Sequence, residues 1–315
     1  MLDYVIESFY PEIHQNHSDR IERNTAFFRE VTLRTARLVA QWQCVGFCHG
    51  VLNTDNMSIL GLTLDYGPFG FMDRFDPDFI CNGSDTSGRY SYQAQPAICR
   101  WNLAQLAEAL VPDLPPDRAE QVLDEYLPIY NGFYLSNMRK KLGLLRKEEP
   151  EDEILITELM QTMHNTVMFS FLQCSELAML LSMAQSNPAL FQMISDRKTV
   201  ARQLERLSRL KELMDTTAEQ LRAKQTEDWS RWIKKYRQRL ACECESGLDV
   251  KELQEERVHV MNNNNPYVVL RNYIAQNAVE AAENDDFSEV GPLQAWFQFY
   301  SLLRDIHYRL KVWSQ

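Results

Sequence analysis

Apolar residues along this 315-residue chain recur mostly at intervals of three and four, the period of helices that turn one face to a core. Phe28, Val31, Leu38, Trp42 and Val45 set out one stripe, broken only by a Thr35 step, and Asn24 is placed to cap it. Leu103, Leu106, Ala107 and Leu110 set out a second, running from Trp101 to the stop "VPDLPPD". Val122, Tyr126 and Tyr130 begin a third. Leu204, Leu207, Leu210 and Met214 mark a long amphipathic helix, and Trp229, Ile233, Tyr236 and Leu240 the next. The break "NNNNP" then precedes a final helical pair, at residues 267 to about 282 and from 292 onward.

The helical period fails between residues 49 and 98. Ser58, Ile59 and Leu60 on one side of Gly61, and Leu62, Thr63 and Leu64 on the other, predict two short strands of a hairpin, ended by "DYGPFG". No repeat of fixed period is present, which disfavours a solenoid. The expected fold is therefore mainly α with one short β-hairpin. Residues 1–150 form a lobe that holds the hairpin, and residues 151–315 a helical extension. The charged run "EEPEDE" at 148–153 is expected to be a solvated connection between them.

Composition narrows the function. The chain has 45% hydrophobic residues, enough for a large core, and a net charge of -11 with its 33 basic residues scattered, which argues against nucleic acid as a partner. No apolar run approaches the ~20 residues that span a bilayer, so no membrane is expected. The opening "MLDYVIESFY" carries acids where a targeting peptide carries Arg or Lys. Seven cysteines at irregular spacing predict free thiols in a reducing compartment.

The chemistry concentrates in "HGVLNTDNMSILGLTLDYGPFGF", residues 49–71. A turn at Gly61 brings Asn56 or Met57 opposite Asp65 or Tyr66, where cross-strand Cα atoms lie ~4.5 to 5.5 Å apart. An amide oxygen and a carboxylate facing one small volume suit Mg²⁺, which takes few protein ligands and completes its shell with water and phosphate. Asp55, one residue earlier, is placed to accept a proton rather than to bind metal. The spacing His, Asn and Asp-x-Gly is that of a kinase catalytic loop and metal site, filled here by His49, Asn56 and Asp65 with Gly67, but the usual base position holds Val51. Valine cannot take a proton. Asp55 is the one acid available in that loop, which leans against ordinary phosphoryl transfer.

The longer block "FCHGVLNTDNMSILGLTLDYGPFGFMDRFDPDFICNGSDTSGRYSYQAQP" with "CRWNLAQLAEAL", and "NPYVVLRNYIAQNAVEAAENDDFSEV" at 265–290, resembles the selenoprotein O family of pseudokinase-like protein adenylyltransferases. The resemblance implies a protein-kinase-like large lobe over residues 1–150. It also implies transfer of AMP from ATP to Ser, Thr or Tyr hydroxyls of proteins, with the nucleotide flipped so that the α-phosphorus meets the base. Asp55 matches the family's catalytic base, Asn56 and Asp65 its Mg²⁺ ligands, and Cys81 its activation-loop cysteine, which can bond a tail cysteine or selenocysteine as a redox switch. Eukaryotic members are mitochondrial. The family's glycine-bearing nucleotide loop and phosphate-binding lysine have no counterpart here, and the ending "RDIHYRLKVWSQ" carries no thiol. A truncated, catalytically silent helical interaction module is therefore the alternative expectation.

Smaller candidates fall to plainer readings. Cys44, Cys48 and His49 lack the second ligand pair of a zinc site and read as a helix end with buried thiols. Cys242 and Cys244 read as surface thiols, and the "NGS" sequon at Asn82 matters only in a secreted chain. The aromatic stripe from Trp229 reads as core packing. Arg89 and Tyr90 are expected to shape the substrate cleft.

Overall fold

The structure, a computed structural model, describes residues 1–171, 217–243, 250–266 and 269–289. The expected helices around Leu204 and beyond Pro292, and Cys244, lie outside them. The described chain is mainly helical with one small antiparallel sheet. It divides into two compact units. The first comprises Met1–Asp73, Asp78–Leu145 and the described residues after Asp249; the second comprises Arg74–Pro77 and the described part of Arg146–Leu248.

In the first unit, short helices α1 (Leu2–Phe9) and α2 (Pro11–Asn16) lead into α3 (Arg20–Val45). Asp19, not Asn24, caps α3: its carboxylate accepts the Glu22 backbone N–H at 2.9 Å. Asn24 lies a turn inside the helix, buried, and its amide donates to the Asp113 carbonyl at 2.8 Å. Gly46 ends α3 in the left-handed conformation that glycine adopts without strain. Strands β1 (Phe47–Cys48) and β2 (Gly70–Phe71) pair antiparallel, Phe47 opposite Phe71. Helices α4 (Gln95–Ala109) and α5 (Pro116–Leu142) follow, and α3 packs along both. Ile6, Phe27, Val31, Val39, Trp42, Phe47, Leu52, Leu103 and Tyr126 form the core between them.

The predicted hairpin strands are absent. One antiparallel bridge, Met57 with Thr63, closes a tight turn in which Gly61 N–H donates to the Ser58 carbonyl at 3.2 Å. Side chains take backbone groups that a ladder would pair: the Tyr10 hydroxyl donates to the Ile59 carbonyl, and Ser58 Oγ accepts the Leu60 N–H at 3.1 Å. Gly61 has φ +69°, and a Cβ there would meet Arg34 Cβ at 2.7 Å, so the turn lies flat against α3.

The second unit contains α6 (Glu151–Phe171) and α7 (Ala218–Ala241). The acidic run at its start is not simply solvated. Asp152 is fully buried, where its Oδ1 accepts from Arg239 Nε at 2.6 Å. Arg239 also reaches buried Glu243 at 2.7 Å and the Lys147 carbonyl at 2.7 Å. The register of α7 differs too: Leu221, Trp232 and Arg239 are buried, whereas Ile233 is exposed. Trp232 stacks on Tyr236 and donates to the Leu155 carbonyl, so the aromatic stripe is packing, as expected.

Back in the first unit, α8 (Val250–Asn264) and α9 (Asn272–Glu283) close the described chain. The sequence pattern missed α8. Its Arg257 donates through Nε to the carbonyl of Gly143, the left-handed residue that ends α5, at 3.1 Å. Among the described residues no helix is long and apolar enough to cross a membrane.

Candidate active site

The 3-10 turn Thr54–Asn56 stands at the end of a loop that starts at β1. Asn102 on α4 fixes the loop from below by donating to the Leu52 carbonyl at 3.0 Å. Gln95, fully buried at the start of α4, accepts from His49 N–H at 2.9 Å and donates to the Phe47 carbonyl at 2.9 Å. The two amides lie on one side of α4 and clamp both ends of the His49–Leu52 stretch to it.

The turn and the residues after Gly61 bring Asn56 and Asp65 into contact. Asn56 Nδ2 donates to the Val51 carbonyl at 2.9 Å and to Asp65 Oδ2 at 3.0 Å. The expected pairing of Asn56 or Met57 with Asp65 or Tyr66 is replaced by Met57 opposite Thr63, a tighter register, yet the two side chains still meet. Asp65 has φ +57°, a left-handed conformation that Asp tolerates through local hydrogen bonding but that is uncommon outside glycine. Asp55 shares the turn with Asn56. Its carboxylate is exposed and, among the described residues, has no hydrogen-bond or ion-pair partner.

His49 supports this arrangement from the core. It is 1% exposed, its Nε2 meets the Leu64 carbonyl at 2.7 Å, and Val51 N–H donates to Nδ1 at 3.4 Å. That pairing sets the tautomer with the proton on Nε2. Burial pushes its pKa below the ordinary histidine value, so the ring is neutral and acts as a tie to the residue preceding Asp65.

Cys81 lies behind the loop, half-buried, its Sγ donating to the Cys48 carbonyl at 3.3 Å. The Cys48 side chain and burial push its thiol well above the usual range. Gly50, at φ +83°, has no room for a side chain, since a Cβ there would sit 2.5 Å from Cys81 Sγ. Of the two thiols expected to be buried at a helix end, Cys44 in the last turn of α3 is half-buried and Cys48 is buried but in strand β1; Cys242 is exposed. Asn82 spends its side chain on the Gly50 carbonyl at 3.2 Å. Arg89 is exposed, and the Tyr90 hydroxyl donates to Asn53 Oδ1, which draws that segment to the loop.

Sequence reasoning missed Gln95 and Asn102. The helix start was legible, since Pro96 stands seven residues before Leu103 and Gln95 and Asn102 are seven apart on one helix face, but the backbone groups they clamp were not.

The donor set fits a small hard cation. Asn56 and Asp65 meet through the amide nitrogen, which the Val51 carbonyl and Asp65 Oδ2 both hold, so Asn56 Oδ1 and the second carboxylate oxygen are the two oxygens available to a metal. Among the described residues no group of three or more His, Cys, Asp or Glu is arranged to hold a metal, so a site of this kind would depend on water and phosphate for its other ligands.

A family model described as "Protein adenylyltransferase SelO" matches residues 1–298. The chain belongs to the SelO family. Its sequence is 73% identical to a Danio rerio relative named "Protein adenylyltransferase SelO-1, mitochondrial", in an alignment covering 92% of this chain and 49% of the relative. It is 50% identical to the Mus musculus "Protein adenylyltransferase SelO, mitochondrial", covering 92% and 50%. It is 41% identical to a Pseudomonas aeruginosa "Protein nucleotidyltransferase YdiU", covering 90% and 51%. This SelO-family chain thus spans about half the length of the curated relatives it matches.

Proposed function

We propose that the chain carries the base and metal-binding half of a Mg²⁺-dependent protein adenylyltransferase that moves AMP from ATP to Ser, Thr or Tyr hydroxyls of proteins. The carrying observation is the Asn56–Asp65 contact at 3.0 Å beside an unpartnered Asp55 on the same turn. Family membership and the names of the relatives supply the reaction class. In this reading residues 1–150 are a protein-kinase-like large lobe and residues 151–315 its helical extension. The mitochondrial names of the vertebrate relatives support the same compartment for this protein.

Asp55 takes the proton of the acceptor hydroxyl, whose oxygen attacks the α-phosphorus while pyrophosphate leaves. Asn56 Oδ1 and the Asp65 carboxylate would hold Mg²⁺. When bound, Mg²⁺ offsets the charge that grows on the phosphate oxygens and the leaving pyrophosphate. His49 and Val51 keep Asp65 and Asn56 in register for that role.

Incubation with α-labelled ATP, Mg²⁺ and a protein acceptor tests the reading. Label should pass from the α- but not the γ-phosphate. Asp55→Asn should lower transfer by about 10²–10⁴-fold, the usual worth of a positioned base. Asp65→Asn, which tolerates a left-handed backbone, should abolish Mg²⁺-dependent nucleotide binding without unfolding the chain. Transfer of γ-label would make the protein a phosphotransferase. No label and no nucleotide binding would leave the silent helical module.

A further inference from the structure

The segment that follows the Asp65 turn presents a cation next to the loop of the proposed base. Asp85 folds the segment on itself, its Oδ1 accepting Arg89 N–H at 2.9 Å and its Oδ2 accepting Tyr90 N–H at 2.8 Å. Tyr90 then reaches Asn53, two residues before Asp55. With the backbone held this way, the exposed Arg89 guanidinium lies over the Trp101 ring, 4.9 Å from its centroid, and 5.7 Å from that of Tyr90. Trp101 is 46% exposed, and its neighbour Asn102 grips Leu52 of the same loop. Both halves of the Arg89–Trp101 stack are therefore tied to the stretch that carries Asp55. Among the described residues no carboxylate lies within ion-pairing distance of the Arg89 side chain.

We propose that Arg89 on Trp101 is the docking shelf for an acidic residue of the acceptor protein, so that hydroxyls flanked by Asp or Glu are preferred. The identity of that protein as an acceptor rests on the adenylyltransfer reading; the binding preference does not. A guanidinium held over an aromatic ring, with no ion-pair partner among the described residues, has N–H donors to offer, and a carboxylate can take them through two parallel hydrogen bonds. Exposed Trp and Arg together are also the side chains that anchor protein contacts most strongly. On a chain of net charge -11, acidic partners are repelled in general, so a preorganised cation selects where they can approach. A phosphate of the nucleotide shares the chemistry, but the shelf is tied to Asn53 on the Asp55 side of the turn, and among the described residues neither Arg89 nor Trp101 shares a hydrogen bond or ion pair with Asn56 or Asp65.

Fluorescent tyrosine peptides flanked by Glu, Gln or Lys, titrated into the full chain by anisotropy, test this without requiring turnover. The Glu peptide should bind about tenfold tighter than the Gln peptide, as a charge-assisted pair is expected to give. Arg89→Gln should erase that ratio, and Arg89→Glu should transfer the preference to the Lys peptide. Arg89 is exposed, so both variants should keep the wild-type melting temperature. A ratio that is absent, or that survives Arg89→Gln, overturns the proposal. So does a fall in ATP affinity on Arg89→Gln with peptide discrimination intact, which would assign the arginine to phosphate. Parallel ATP titrations of the wild type and Asp65→Asn report on the adenylyltransfer reading separately.

Discussion

At the residue scale the site is built from buried polar groups that each hold one piece of backbone. His49 is the clearest case, because its ring joins Leu64, just before Asp65, to Val51, whose carbonyl takes the Asn56 amide. His49→Ala would leave the Leu64 carbonyl and the Val51 N–H without these partners in a half-buried site, at up to about 1–3 kcal/mol for each group that water does not reach. The expected outcome is a lower melting temperature together with Mg²⁺-nucleotide affinity reduced several-fold, although His49 touches neither ligand. Thermal unfolding and nucleotide titration on the same sample check it. Affinity unchanged at full occupancy of the folded state would show that Asp65 keeps its position without the ring. Asn56 and Asp65 were legible in the sequence because nine residues and a glycine turn separate them, a local relation. Gln95 was not, because its role as a clamp depends on a residue 46 positions away and on a helix that starts earlier than its apolar stripe.

At the scale of elements, periodicity located α3, α4, α5 and α7 but not how their ends are fixed. The sheet of Phe47–Cys48 with Gly70–Phe71 has two residues per strand, too few for alternation to show. The acidic run before α6 looked solvated because composition says nothing of a cation 87 residues later. Arg239 sits between two fully buried carboxylates, and Glu243 also accepts Arg146 N–H at 2.6 Å. Removing the guanidinium leaves two charges buried without it. Arg239→Met is therefore expected to destabilise its unit by about 3–5 kcal/mol. Arg231→Met, which breaks exposed pairs to Glu227 and Asp228, should cost less than about 1 kcal/mol. Denaturant midpoints of the two variants decide the point, and equal shifts would mean that the Arg239 cluster is effectively solvated.

At the scale of the whole molecule, the mainly helical class was legible from the three-and-four spacing, while the contacts of the chain after Asp249 with the first unit were not. The contacts that return α8 and α9 to the first unit join residues far apart in sequence, Gly143 with Arg257 and Asp73 with Arg271 at 3.2 Å, and no local pattern encodes them. Each unit has apolar residues of its own: Phe27, Trp42 and Leu103 among those of the first, Ile156, Leu221 and Trp232 among those of the second. Chains with more than one core commonly unfold in more than one step. Calorimetry is accordingly expected to resolve two transitions. The two perturbations should then separate them, because Arg239 belongs to the second unit while Asn56 and Asp65 belong to the first. Arg239→Met should lower one transition alone. Saturating Mg²⁺-ATP at about a hundred times its Kd should raise the other by the equivalent of about 2.7 kcal/mol, and this rise should vanish in Asp65→Asn. A single transition that both perturbations move would show that the units melt as one and that the metal site draws its stability from the entire chain.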